Sequence, residues 1–228
     1  MAEPTLHPVT VRRRWEEAVD LVGLSFAGAD PSLAASFERP GQYVVVRAGG
    51  EQGYFALASR PGDPQLDLLV KPLPSGPAAA LAALRPGDGA EISAALGRGY
   101  PVDAHAGKDV LLFAVGSGIS PIRSLIWWLA AHRADYAGVT LFQGARTRAH
   151  LAYQGEVTAW QAEGISVVRV LSQEPTGGEA TGYVQEALAA HPIVPSNTVA
   201  FVCGMPAMVQ VVTAALAARG VHDVFQNH

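Results

Sequence analysis

The stretch Val110-Leu111-Leu112-Phe113-Ala114-Val115-Gly116-Ser117-Gly118-Ile119-Ser120-Pro121 decides how this 228-residue chain reads. Six consecutive apolar residues match a strand covered on both faces, as in a parallel sheet. Two glycines follow, which permit a tight turn and the close approach of a backbone or a phosphate. Pro121–His132 then has helical length and spacing. A strand, a glycine turn and a helix start leave free N–H groups and the positive end of a helix dipole facing whatever lies at the turn. The loop lacks the third glycine of the dinucleotide fingerprint, and no Lys-Ser or Lys-Thr pair follows as in a phosphate-binding P-loop. A turn that merely joins strand to helix is the plain alternative.

Downstream the alternation continues. Strands are expected at Val139–Gln143, Ser166–Leu171 and Thr198–Cys203, and helices at Tyr153–Glu163, Val184–Ala190 and Ala207–Arg219, with a last edge strand at Val221–Phe225. Alternating strands and helices of this length imply a parallel sheet with helices on both faces, a doubly wound α/β arrangement. Cys203-Gly204-Met205-Pro206-Ala207-Met208 is a second small-residue loop between a strand and a helix. A third strand ends at Gln143-Gly144-Ala145-Arg146. Ligands of open α/β sheets sit at the carboxyl ends of strands, so all three ends can converge on one dinucleotide.

Upstream the pattern differs. Short apolar stretches at Thr10–Glu17, Asp20–Phe26, Gln42–Arg47, Gly53–Ser59, Leu66–Lys71 and Ala90–Ser93 are separated by turns such as Pro40-Gly41, Gly49-Gly50 and Pro61-Gly62. Regularly spaced short strands predict a small antiparallel barrel or sandwich. Ala78–Leu84 is expected to be a short helix, with Pro77 near its first turn. The reading is therefore a two-domain α/β protein, 1–103 an antiparallel β-barrel and 104–228 a nucleotide-binding parallel sheet.

Composition narrows the function. Charged residues are 16% of the chain and hydrophobic ones 49%, which is enough for two cores and too apolar for disorder. A net charge of −4 excludes a basic footprint for nucleic acid. The single cysteine, Cys203, cannot form an intramolecular disulfide or by itself hold an iron–sulfur or zinc centre, and no metal-ligand set is evident. Neither a secretory signal nor an apolar run near 20 residues is seen, so no membrane span and a cytoplasmic location are expected.

Taken together, Gly116–Pro121, Gly144-Ala145-Arg146-Thr147, Gly182-Tyr183-Val184 and Cys203–Met208 resemble, in order, the nicotinamide-dinucleotide motifs of the ferredoxin–NADP reductase superfamily. Pro40-Gly41-Gln42-Tyr43 resembles the signature of that family's flavin barrel, and Gly97-Arg98-Gly99-Tyr100-Pro101 a segment before its domain boundary. The resemblance implies an NAD(P)H-dependent flavin oxidoreductase that passes a hydride from nicotinamide to FAD and electrons onward to an unidentified acceptor, a separate redox protein being one candidate. It assigns NAD(P) to Gly116, Ser117, Gly118, Ile119, Ser120, Pro121, Gly144, Ala145, Arg146, Arg148, Cys203, Gly204, Met205, Pro206 and Met208, with Cys203 shaping the hydride-transfer pocket. Arg146 and Arg148 offer charge to a 2′-phosphate, or are a solvated pair; NADH and NADPH both stay open.

The flavin motif departs from the family's. Where an Arg-x-Tyr-Ser stretch meets pyrophosphate and flavin, this chain has Gly53-Tyr54-Phe55-Ala56, continuing through Leu57, Ala58 and Ser59. The Gly-x-Ser/Thr of the second flavin motif is Gly76-Pro77-Ala78. Val70, Lys71 and a terminal aromatic, Phe225, complete the expected flavin contacts, and Arg60, Lys71, Arg12 or Arg14 are candidates to replace the lost arginine. A charged hydrogen bond to phosphate is worth roughly 1.5–3 kcal/mol. Three outcomes follow: FAD still bound, FMN or an exchangeable flavin, or a barrel kept as the scaffold of a non-enzymatic nucleotide-binding or partner subunit.

Overall fold

The first half pairs its strands antiparallel, as period-2 patterning with one buried face requires. The computed structural model describes residues 3–28, 31–174 and 180–227. Its elements in this half are β1 (Leu6–Ala18), β2 (Leu21–Gly28), a short α1 (Pro31–Ala35), β3 (Tyr43–Ala48), β4 (Glu51–Ala56), β5 (Leu66–Val70), α2 (Pro77–Ala83) and β6 (Gly89–Ser93). The sheet order is β4-β3-β6-β1-β2-β5, and one isolated bridge, Leu57 to Leu68, links the two end strands into a barrel. Val9, Leu24, Phe26, Val44, Val46, Leu68 and Ile92 fill its interior, with Leu81 of α2 closing one end.

The second half contains β7 (Asp109–Val115), α3 (Ile119–Ala131), β8 (Gly138–Ala145), α4 (Val157–Ala162), β9 (Ser166–Leu171), β10 (Ala180–Thr181), α5 (Val184–Ala189), β11 (Thr198–Cys203), α6 (Pro206–Ala218) and β12 (Val224–Gln226). The strands run parallel in the order β10-β9-β8-β7-β11-β12. β7 lies at the centre, which explains its unbroken apolar run. Leu112 and Phe201 pack on the α3 side, with Ile122 and Trp160, while Phe113 and Val202 pack on the α5–α6 side.

The two sheets share a core. Leu21 and Leu69 of the barrel pack in the same cluster as α3 and β7. Polar contacts add to this join. Ser120 Oγ donates to the Ala56 carbonyl at 2.8 Å, and Arg123 Nη1 to the Ala58 carbonyl at 2.7 Å. Arg123 also holds Glu156 at 2.7 Å and lies 3.7 Å from Asp67.

Three expected elements differ. The helix predicted from Tyr153 begins at Val157, because Tyr153 adopts a left-handed conformation (φ 58°) and Gln154–Glu156 form a 3-10 turn. Glu156 is drawn there by Arg123 and by Trp127, whose Nε1 donates to it at 2.9 Å. The strand predicted over Gly53–Ser59 ends at Ala56, after which Ala58 and Ser59 hydrogen-bond to Asp67. The last strand is Val224–Gln226, shifted toward the C-terminus from the expected Val221–Phe225.

Candidate functional site

Gly118 is where the two glycine-rich loops meet. A Cβ there would stand 2.4 Å from the Cys203 carbonyl oxygen and 2.7 Å from the Gly204 Cα. Only a residue without a side chain lets the loop after β7 lie against the loop after β11. Gly116 has φ +54° and faces open space, so its left-handed turn exposes backbone at the cleft.

The cleft itself has a volume of about 500 Å³ and lies along the carboxyl ends of β7, β8, β9 and β11. That is within the usual size of a ligand site. Of the residues singled out in the sequence, Gly116, Gly144, Ala145, Arg146, Met205, Met208 and Lys71 line it. Ser117, Gly118, Cys203 and Gly204 form the half-buried junction behind it, Arg148 and Pro206 are exposed nearby in sequence, and Ile119, Ser120 and Pro121 are buried in the first turn of α3. Those last three build the loop rather than the cleft wall.

Gly182, Tyr183 and Val184 of the resemblance line it too, whereas sequence reasoning gave no role to Asp20, His150, Ser172, Gln185 and Val211. Tyr183 had a signal, an aromatic directly after Gly182 at a strand-to-helix turn. Its side chain is 59% exposed, and its backbone N–H is fixed by the Glu186 carboxylate at 2.9 Å. Asp20 had none, because its partners are remote in sequence. Its carboxylate meets Lys71 at 3.1 Å and Arg146 at 3.2 Å. Partial burial pushes the Asp20 pKa up, but the hydrogen bond and charge of Lys71, with His150 and Arg146, outweigh it and hold the carboxyl below its ordinary value. Arg146 is thus already partnered by a carboxylate.

Burial pushes the Cys203 thiol up to about 12, so it is a neutral, soft wall group and not a thiolate. Tyr100, wholly buried against Phe201, has its phenol pushed up by burial and then by Cys203, and among the described residues its hydroxyl finds no hydrogen-bond partner.

On the barrel side, the expected flavin contacts separate into two groups. Lys71 opens on the cleft. Leu57, Ala58, Ser59 and Val70 are buried and present no open side chain. Phe225 is stacked on Phe201 at 5.5 Å and tilted against His105 at 5.1 Å. Gly53, Phe55 and Pro77 close on one another. A Cβ at Gly53 would stand 2.8 Å from Pro77 Cβ and 3.2 Å from the Phe55 ring, and Phe55 and Ala78 both pack on the barrel core. α2 has seven residues and starts with Pro77, which carries no N–H, so its first turn presents one donor fewer and no hydroxyl where the family has a serine or threonine. Of the substitute cations, Arg14 is held by the Ala82 carbonyl and Glu16, Lys71 by Asp20, and Arg60 lies 3.9 Å over the Trp127 ring.

Among the described residues, no group of three or more His, Cys, Asp or Glu is placed to hold a metal, and no helix is long and apolar enough to cross a membrane.

An antiparallel barrel joined to a parallel dinucleotide-type sheet, with its cleft at the strand ends, defines the flavin- and nicotinamide-dependent reductase class of two-domain oxidoreductases. Residues 112–214 match the oxidoreductase NAD-binding domain family. The chain is 32% identical over 211 residues to fruit protein pKIWI502 of Actinidia deliciosa, covering 84% of itself and 66% of that protein. Its fold matches the crystal structure of the Amycolatopsis cytochrome P450 reductase GcoB with a TM-score of 0.85 at 26% identity, over 100% of this chain and 71% of that one. It matches a ferredoxin NADP+ reductase from Neisseria gonorrhoeae, solved with bound FAD and NADP, with a TM-score of 0.84 at 17% identity, over 99% and 100% of the two chains. Residues 112–214 thus carry the oxidoreductase NAD-binding domain, and the whole chain shares the two-domain fold of ferredoxin–NADP reductase-like oxidoreductases.

Proposed function

We propose that this protein is an NAD(P)H-dependent flavin reductase that passes electrons to a separate redox acceptor. The observation that carries the reading is the convergence of the β7, β8 and β11 loops on one cleft that continues to Lys71 of the barrel. The residues there fit a nicotinamide dinucleotide. Gly116 leaves room for a phosphate beside the N-terminus of the 13-residue α3, and Tyr183 offers an exposed aromatic face to the adenine. Gly144 and Ala145 keep the wall low between them. Cys203, neutral and half-buried, would border the nicotinamide without competing as a nucleophile. The bound dinucleotide supplies the hydride; the chain's residues orient it and exclude water.

The flavin fits in part. The cleft reaches Lys71 at the end of β5, which supports a ring bound beside the nicotinamide. The diphosphate of FAD does not fit where the resemblance would put it, since Pro77 occupies the space of a side chain at position 53. That contact favours one second reading, a nucleotide-binding partner subunit without flavin. A cytoplasmic setting, where NAD(P)H is at hand, is proposed for either.

The test mixes the protein anaerobically with NADH or NADPH, then with FAD and a one-electron dye. Saturable nucleotide binding with flavin-dependent dye reduction is expected. Nucleotide binding with no dye reduction at any flavin concentration would leave the subunit reading.

A further inference from the structure

We infer that the flavin is a diffusible substrate recognised through its isoalloxazine ring, and that this barrel does not retain the adenylate half of FAD. The inference rests on the reductase reading above and specifies its substrate class. Gly53 is not an empty place from which an arginine was simply lost. Pro77 Cβ and Cγ lie 2.8 and 2.9 Å from the position of a Cβ there, and the Phe55 ring closes the remaining side. The result is an apolar contact between β4 and α2 at the point where a diphosphate would need charge.

Among the described residues, the cations that could replace the lost arginine are engaged or distant. Arg47 is taken by Glu91 at 3.0 Å and by Gln52. Arg14, Lys71 and Arg60 are engaged as described. Arg12 is exposed on β1, which is three strands from β4 in the sheet order, about 14 Å at ordinary strand spacing. A dianionic diphosphate against apolar side chains is unfavourable without charged partners. What is left for the ring half is the cleft beside Gly116, which extends to Lys71. With only the ring recognised, riboflavin, FMN and FAD present the same reacting group. The reaction balances as NAD(P)H plus a proton plus oxidised flavin giving NAD(P)+ and dihydroflavin: the hydride carries both electrons, water supplies the proton, and the reduced flavin departs.

The test compares the three flavins on the intact protein, by equilibrium dialysis and as varied substrates in anaerobic NADH and NADPH oxidation. Dissociation constants within about threefold of one another are expected, with a colourless protein after desalting. FAD binding tighter than riboflavin by about tenfold or more would overturn the inference, since that is the scale of a charged phosphate contact. A paired set of variants adds a gain-of-function readout. Gly53→Arg alone should leave the FAD-to-riboflavin affinity ratio unchanged, because Pro77 blocks the side chain. Gly53→Arg with Pro77→Gly should raise that ratio by about ten- to a hundredfold. An equal gain from Gly53→Arg alone would refute the packing argument. Tight FAD with active turnover removes this inference and leaves the reductase standing; nucleotide binding without oxidation by any flavin removes both.

Discussion

Replacing Gly118 with alanine adds one methyl group at the contact between the two nucleotide loops. The new carbon would lie 2.4 Å from the Cys203 oxygen and 2.6 Å from its carbonyl carbon. Both neighbours are backbone, so no side-chain rotation relieves the overlap. The loops must part by about 1 Å to restore ordinary van der Waals separation. Overpacking of this kind costs about 1–3 kcal/mol, and in a chain of this size each kcal/mol lowers Tm by about 2–4 °C. The larger consequence is for binding, because loops displaced by that distance no longer present Gly116 and Met205 to one dinucleotide. Isothermal titration with NADH and NADPH should show affinity reduced at least about tenfold, equivalent to 1.4 kcal/mol. Gly155→Ala is the control: a Cβ there meets nothing within 4 Å, and both affinity and Tm should stay at the wild-type level. If Gly118→Ala bound both nucleotides like the wild type and melted at the same temperature, loop closure would not be what shapes the cleft.

Asp20→Asn removes the carboxylate that pairs Arg146 and Lys71. Such a partly exposed pair is worth about 0–1 kcal/mol, so kcat/KM for NADPH relative to NADH should rise by up to about fivefold; an unchanged ratio would separate Arg146 from the 2′-phosphate. Arg123→Met leaves the half-buried Glu156 with only its Trp127 hydrogen bond and cuts the link to the Ala58 carbonyl, and a Tm loss on the order of 5 °C is expected by calorimetry. Burial raises the acids Cys203 and Tyr136 to about 12 from ordinary values of 9.0 and 10.0, and raises Tyr100 and Tyr153 as well. The folded state therefore holds protons that the unfolded chain releases. Their contribution is full below pH 9 and is lost as pH rises from there toward 12, so urea midpoints should fall across that window. A midpoint that stayed flat to pH 11 would contradict the burial of these groups.

The parallel sheet was legible because its signals are local. A central strand buried on both faces must be a continuous apolar run, and a loop that approaches another backbone must be glycine; β7 and Gly118 meet both conditions. What could not be read depends on distant partners. The start of α4 is delayed because Glu156 is recruited by Arg123, 33 residues away. Asp20 reaches Arg146 across 126 residues, so the sequence offered Arg146 to a phosphate where the fold pairs it with a carboxylate. The bend after Ala56 follows from hydrogen bonds to Asp67 on a neighbouring strand. Each of these is a tertiary contact overriding a reasonable local preference.

The flavin motif makes the same point in a sharper form. In the sequence, Gly53, Ala56 and Ala78 are separate departures, each of which merely weakens a family contact. In the fold Gly53 is part of one contact with Phe55 and Pro77, in which the missing side chain at 53 is the space that Pro77 fills. Changes that share a contact are not additive, so restoring the arginine without moving the proline recovers nothing. The nucleotide loops show the opposite history: Gly118 is still held to zero side-chain atoms by the Cys203 carbonyl, and the cleft beside it stays open. One half of the molecule thus keeps the geometry of a dinucleotide site while the other has packed over its diphosphate position. On the proposed reading, a protein so built keeps a use for the hydride donor and takes an acceptor that needs no phosphate to be held.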